Sequence, residues 1–240
     1  MSVRKIRGIV IREQVSGESG KQLVVLAKGA GKLRLSARGA KNAKSKLLAG
    51  TQLFAYCDFT LFEGKGFLSV TQADLLESFY GLRTDVEVLS EAVYLAELVE
   101  KTCPEGMEQD DILLLLLYTL QWMAKGYIPP RLAGRIFEIK YLLMSGLFAG
   151  AECAVCQREE EPMYFSSREG AFLCGRHKDE NSVMLLPAVQ EAIFHVLSKE
   201  GQKIFAFRLS EEALNQLDGI MEQYLRVHVG VSLKSRHFLD

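Results

Sequence analysis

The sequence predicts an α+β protein: a small β-barrel at the amino terminus, then an all-α domain interrupted by a cysteine-bearing finger. Three observations carry that prediction. Five strand-like runs occupy about the first 75 residues with no long helix among them, the pattern of a small closed barrel rather than a parallel sheet. Near Thr84 the apolar period lengthens to that of a helix, and it returns in four further segments. In the second half, two pairs of ligand-type residues, each pair spaced by two others, fall within one segment.

The strands come first. Ile6–Arg12 is dominated by β-branched residues, and Leu23–Ala27 is a short apolar run. In Lys32–Ala37, Leu33 and Leu35 share one face while Lys32, Arg34 and Ser36 share the other. Leu53–Phe62 is aromatic and apolar, and the turn Glu63-Gly64-Lys65-Gly66 separates it from Phe67–Leu75. An OB-type and an SH3-like barrel both fit this strand count. Thr84-Asp85-Val86-Glu87 then has capping-box spacing, with Thr84 as the predicted N-cap. Val88, Leu89, Ala92, Val93, Leu95, Ala96 and Val99 follow at helical spacing. Asp110 or Asp111 is placed to cap a second helix through Trp122, with Gly126 as its stop. Pro129 and Pro130 precede a third, from Arg131 to about Leu147, carrying Ile136, Phe137, Ile139, Leu142 and Leu143. Pro187 opens a fourth through Val196, and Ser210 precedes a fifth through about Val229. The boundary between barrel and helices is predicted at 78–84, giving domains at 1–80 and 81–240, with the finger at about 150–180.

Composition narrows the function classes. With 240 residues and 48% in the hydrophobic set, the chain can bury the cores of two domains and has no compositional cause for disorder. The net charge of −1 conceals an asymmetry. Residues 1–57 hold 12 lysines and arginines against two acids, a balance of +10, while residues 58–240 hold 17 against 28, or −11. Such a split places a polyanion partner at one end of the chain. The start Met1-Ser2-Val3-Arg4-Lys5 leads into a strand rather than an apolar export segment. The longest apolar run, Ile112–Leu117, is far short of the roughly 20 residues of a membrane span. A cytoplasmic location is expected. Five cysteines are then read as reduced thiols or metal ligands rather than as a disulfide framework.

Cys153-Ala154-Val155-Cys156 is followed, after 17 intervening residues, by Cys174-Gly175-Arg176-His177. A tight turn lets two side chains spaced by two residues reach one ion, and zinc takes four N or S ligands tetrahedrally. Met163-Tyr164-Phe165 and Ala171-Phe172-Leu173 read as a hairpin between the pairs, the zinc-ribbon pattern. Four protein ligands leave no position for water, so the zinc is expected to be structural. No H-x-E accompanies the cysteines as in the zinc deaminases. No βαβ context supports a redox pair at Cys153 and Cys156. Cys57 and Cys103 are read as packing residues, and His195, His228 and His237 are given no role.

From Ser19 to Cys57 there are eight basic residues and no acid. Lys28, Lys32, Arg34, Arg38, Lys41, Lys44 and Lys46 are the candidate DNA-binding residues, densest in Ala37–Lys46. Small residues among them let a backbone approach closely, which suits contacts to phosphates. Phe54, Tyr56 and Phe59 are candidate stacking platforms, although an aromatic stripe in a strand is more often core. The chain holds no Walker-type glycine loop, nucleophile elbow or open metal position, so no enzymatic chemistry is expected.

These segments together resemble the RecO family of bacterial recombination mediators. Gly8-Ile9-Val10-Ile11-Arg12 is similar to that family's opening strand. Ala37-Arg38-Gly39-Ala40-Lys41 with Ser45-Lys46-Leu47 is similar to its basic loop. Phe137-Glu138-Ile139-Lys140, with Leu142, Leu143 and Gly146, precedes the first cysteine pair as it does there, and Leu233–Leu239 resembles the terminal motif. The resemblance implies a five-stranded OB-type barrel, a helical domain and an inserted zinc finger. It also implies binding of single- and double-stranded DNA, strand annealing, and action with RecR, often with RecF, in loading RecA onto DNA coated by single-strand-binding protein. The family's zinc site generally uses four cysteines, and His177 stands where the last would be, so three sulfurs and one nitrogen are expected. Two other classes fit parts of the pattern: a zinc-ribbon RNA-binding or assembly module without annealing activity, and a metal-dependent hydrolase, which would need water as fourth ligand.

Overall fold

The β-branched opening run forms strand β1 (Ser2–Ser16) in the computed structural model, which describes residues 2–148, 150–158 and 162–235. The strand is longer than the predicted Ile6–Arg12 because its two halves serve different neighbours. Its first half pairs antiparallel with β4 (Tyr56–Gly64) and its second half with β2 (Gly20–Ala27). β2 pairs with β3 (Gly31–Ala37), and β4 pairs with β5 (Phe67–Glu77). β3 and β5 run parallel and meet at Ser36 and Ser69, so the strand order β1-β2-β3-β5-β4 leads back to β1. Alternation along the strands sends Val10, Leu23, Val25, Leu35, Phe59, Leu61 and Val70 into one buried cluster. The fold is thus α+β, an amino-terminal β-sheet domain followed by helices.

Helix α1 (Val86–Thr102) starts one residue later than the capping box predicts. Asp85 is the N-cap, its carboxylate accepting from the backbone N–H of Glu87 and Val88, while the Thr84 hydroxyl donates to the Gly81 carbonyl. A carboxylate is the stronger acceptor for the helix's first free N–H groups and also suits its dipole. Helix α2 (Asp110–Ala124) has Gln109 at its N-cap and no side-chain cap. The Asp110 carboxylate instead accepts from the Gly29 N–H at 2.7 Å, tying α2 to the β2–β3 turn. By contact, the chain divides into two compact units: residues 2–125 with 233–235, and 126–232. In the first, Ala92, Leu95, Ala96 and Val99 of α1 are buried.

The second unit holds α3 (Pro130–Met144), α4 (Pro187–Ser198) and α5 (Glu211–His228). Pro130 and Pro187 open their helices, and the Ser210 hydroxyl caps α5 by accepting from the Ala213 N–H. α3 ends short of the predicted Leu147, where Gly146 takes a left-handed φ of 69°. Between α3 and α4, strands β6 (Met163–Ser166), β7 (Ala171–Cys174) and β8 (Ser182–Met184) form a sheet in the order β7-β6-β8. β6 and β7 match the predicted hairpin; β8 adds a third strand. Lys140 of α3 is buried, and its ammonium donates to the carbonyls of Val196 (3.3 Å) and Lys199 (2.7 Å) at the end of α4. Burial pushes its pKa down, yet the carbonyls keep the charge useful as a C-cap. Lys140→Met is expected to cost about 1–3 kcal/mol, read by denaturant unfolding, because it leaves those carbonyls without their donor. Among the described residues no helix is long and apolar enough to cross a membrane.

Candidate nucleic-acid and metal sites

The basic segment between β3 and β4 is a chain of turns. Asn42 N–H donates to Gly39 O, Ser45 N–H to Asn42 O, and Leu48 N–H to Ser45 O. Lys41 N–H donates to Ser19 O, which fastens the segment to the β1–β2 turn. Ala40 is fully buried and Leu47 packs on the core of the sheet domain, so the apolar residues hold the loop down while Arg38, Lys41, Lys44 and Lys46 stay exposed. Among the described residues these four cations have no acid partner. They form one cationic end of the sheet domain.

The other three candidates lie elsewhere. Lys28 is exposed in the β2–β3 turn. The pairing of Lys21 with Ala37 and of Ala27 with Gly31 puts that turn at the opposite end from Arg38, about 20 Å away at the usual rise of a strand. Arg34 lies between the ends, paired to Glu105 at 2.8 Å. Lys32 does not join them. It is buried, and its ammonium donates to the Glu100 carbonyl at 2.6 Å, because the end of α1 covers the face of β3 that the alternation assigned to solvent. Phe54 and Phe59 are core residues, and Tyr56 is half-buried. Two cations not singled out in sequence, Lys5 and Arg7, line a cleft of about 600 Å³ together with Lys28, Asp58, Gln72 and Asp74. Their spacing of two along β1 was the available signal. Arg7 grips Asp58 through two hydrogen bonds of 2.7 and 2.8 Å and holds that carboxyl below its usual range.

In the second unit, Cys153, Cys156, Cys174 and His177 converge. Their ligand atoms all lie within 4.8 Å of one another. Each pair sits on its own turn: Gln157 N–H donates to Cys153 O at 2.7 Å, and His177 N–H donates to Cys174 O at 3.0 Å. The His177 Nδ1 is 3.5 Å from the Cys153 sulfur and 3.3 Å from that of Cys174, and the Cys156 and Cys174 sulfurs are 3.9 Å apart. A tetrahedral zinc has edges of about 3.8 Å between sulfurs and about 3.6 Å between sulfur and nitrogen. The cluster therefore could hold such an ion with little movement, and three sulfurs with one imidazole are donors that suit it. Burial raises the Cys153 thiol, but the backbone N–H groups of Cys174, Cys156 and Val155, with His177, outweigh it and bring its pKa down to about 6.

The finger is anchored in its unit by aromatic packing. The Phe172 ring lies 5.9 Å from Phe148 and 5.4 Å from Phe165, and Phe148 lies 4.9 Å from Tyr224 of α5. Beyond His177, the Asp179 carboxylate accepts from the hydroxyls of Ser166 (2.6 Å) and Ser182 (2.7 Å), linking β6 to β8. Cys57 and Cys103 are buried and lie outside this cluster. His195 bonds the Lys203 carbonyl and His228 the Gly170 carbonyl, while His237 lies outside the described residues, as do positions 236–239 of the terminal motif.

Comparison with known sequences covers nearly the whole chain. Residues 1–79 match the family model described as "Recombination protein O N terminal", and residues 83–237 match "Recombination protein O C terminal". Among relatives, the DNA repair protein RecO of Alkaliphilus metalliredigens is 35% identical over 94% of this chain and 93% of its own length. That of Halalkalibacterium halodurans is 34% identical over 98% and 94%, and that of Acetivibrio thermocellus 31% over 94% and 92%. With both halves matched in order and relatives covering nearly its full length, the chain belongs to the RecO family.

Proposed function

We propose that this protein is a DNA-binding recombination mediator. It binds single- and double-stranded DNA, anneals complementary strands, and with RecR, often with RecF, helps load RecA onto DNA coated by single-strand-binding protein in the cytoplasm. On this reading the sheet domain is an OB-type barrel within residues 1–80, closed by the β3–β5 contact. Residues 81–240 form the helical domain, with a zinc-ribbon-like finger at about 150–180. The observation that carries it is the exposed loop of Arg38, Lys41, Lys44 and Lys46, free of acid partners among the described residues. Phosphates repel one another; a surface that neutralises them and releases counterions lets two strands approach and pair, with no bond made or broken by the protein. Lys28 and Arg34 extend the contact toward the far end of the barrel, and Lys32 is left out because its charge is already engaged. A zinc ion held by Cys153, Cys156, Cys174 and His177 would supply a structural crosslink, since the protein fills all four positions.

Two measurements test the reading. Annealing of complementary strands should be accelerated by the purified protein, with and without the coating protein present. In Arg38→Ala/Lys41→Ala/Lys44→Ala, binding should weaken and the salt dependence should flatten by roughly 0.7–0.9 in slope for each phosphate left without its cation, or about 2–3 in all. An unchanged slope would refute the loop's role. Competition between DNA and RNA of one sequence distinguishes the mediator from an RNA-binding module.

A further inference from the structure

Strand register brings together a second set of polar groups on the outer surface of β1, β2 and β3. Gln14 lies opposite Gln22, which lies opposite Ser36; Arg12 lies opposite Val24, which lies opposite Arg34. A cleft of about 220 Å³ is lined by Arg12, Gln14, Gln22, Leu23, Val24 and Arg34. Both arginines face it, and each is held by a glutamate from the far side. The Glu100 carboxylate grips Arg12 at 2.7 Å and the Glu105 carboxylate grips Arg34 at 2.8 Å.

The two pairs differ in how easily they open. Glu100 is only 9% exposed, so parting it from Arg12 would strand a buried charge. Arg34 and Glu105 are 63% and 53% exposed, and water replaces such a pair at little cost. Glu105 is nevertheless not a chance neighbour. Its backbone bridges Lys32, Gly106 N–H donates to the Lys32 carbonyl at 3.2 Å, and Gly31 packs so tightly on Met107 that a Cβ there would meet the Met107 carbonyl at 1.8 Å. The segment carrying Glu105 is therefore stapled to the start of β3, with its carboxylate placed on Arg34 in advance.

We propose that Glu105 is a built-in competitor for a DNA backbone phosphate: it occupies Arg34 in the free protein and yields it when a strand enters the Arg12–Gln14–Gln22–Arg34 cleft. Arg12, locked to Glu100, is the fixed wall, and the Gln14 and Gln22 amides supply uncharged donors and acceptors beside the phosphate. The proposal rests on the DNA-binding reading above and adds to it an internal brake. Both a carboxylate and a phosphate take two parallel N–H bonds from a guanidinium, so one can replace the other without rearranging Arg34.

The experiment measures binding of single- and double-stranded oligonucleotides at several salt concentrations by the full chain and its variants. Glu105→Gln should bind about two- to fivefold more tightly, the span expected for freeing one exposed ion pair. Its salt dependence should not fall below that of the parent. Glu87→Gln, about 22 Å away at the other end of α1 by helical rise, controls for net charge alone. Arg34→Gln should bind less tightly, and the double variant Glu105→Gln/Arg34→Gln should show no gain over it. The cleft belongs to whichever DNA form shows the larger gain. Equal affinities for Glu105→Gln and Glu87→Gln, or a gain that survives loss of Arg34, would overturn the brake while leaving DNA binding intact, provided the Arg38/Lys41/Lys44 variant still flattens the slope. No binding by the parent protein would overturn both. Unaltered melting temperatures confirm that the exposed substitutions leave the fold in place.

Discussion

Removing metal with a strong chelator, or replacing Cys174 with serine, is expected to unfold the finger while leaving the amino-terminal unit folded. β6, β7 and β8 have only four, four and three residues, too little sheet to persist without another constraint. Cys153 and Cys174 are fully buried, so loss of a bound ion would leave two buried thiols in place of a tetrahedral crosslink. In isolated zinc-finger peptides the metal supplies on the order of 10–16 kcal/mol, essentially all of the folding free energy. Hydrogen exchange should show reduced protection across residues 150–185 and unchanged protection in β1–β5. The same chemistry sets a pH limit. The Cys153 thiol is brought down to about 6, so its thiolate dominates at neutrality. Because its pKa is depressed, that contribution is full only above the unfolded thiol's value of about 8.5, declines as the pH falls, and is gone below about 6. Zinc release, followed with a colorimetric chelator, should therefore increase as the pH falls, because protons compete with the metal for the three thiolates and the imidazole. A protein purified without zinc and indifferent to chelation would refute the assignment of all four ligands.

Gly31→Ala is expected to destabilise the amino-terminal unit by about 3 kcal/mol, lowering its melting temperature by about 10 °C. Two costs combine. Gly31 has a φ of 64°, a conformation that a Cβ disfavours. The added atom would also meet the Met107 backbone carbonyl at 1.8 Å, and no side-chain rotation relieves a clash with backbone. Gly29 provides the comparison. It has a φ of 65°, but nothing lies within 4 Å of its added Cβ, so Gly29→Ala should lose only about 1 kcal/mol. If the two variants melt together, the close approach between β3 and the segment after α1 is not what requires glycine. Because that segment carries Glu105, Gly31→Ala should also weaken the Arg34–Glu105 pair, which ties this prediction to the DNA measurements.

The parts legible in the sequence were those whose cause is local. Two residue pairs spaced by two make the candidate metal cluster, since a turn of four residues carries its own geometry. Period two in the first 77 residues and helical period after Val86 located most elements. Pro130, Pro187 and Ser210 marked helix starts where they stand. At Thr84 and Asp85 the capping-box spacing pointed to the hydroxyl, but that hydroxyl bonds Gly81 and the adjacent carboxylate is the cap.

The sequence by itself determined the run of strands and helices, the four metal-ligand candidates, and the surplus of positive charge before Cys57. Only the tertiary structure decided which of those charges face water. Lys32 and Arg34 alternate correctly on the same face of β3, but α1 arrives some 68 residues later in the chain to cover the first and Glu105 to engage the second. Burial is a sum over contacts between distant segments, and a period read along one strand records only which side a residue faces, not what is packed there.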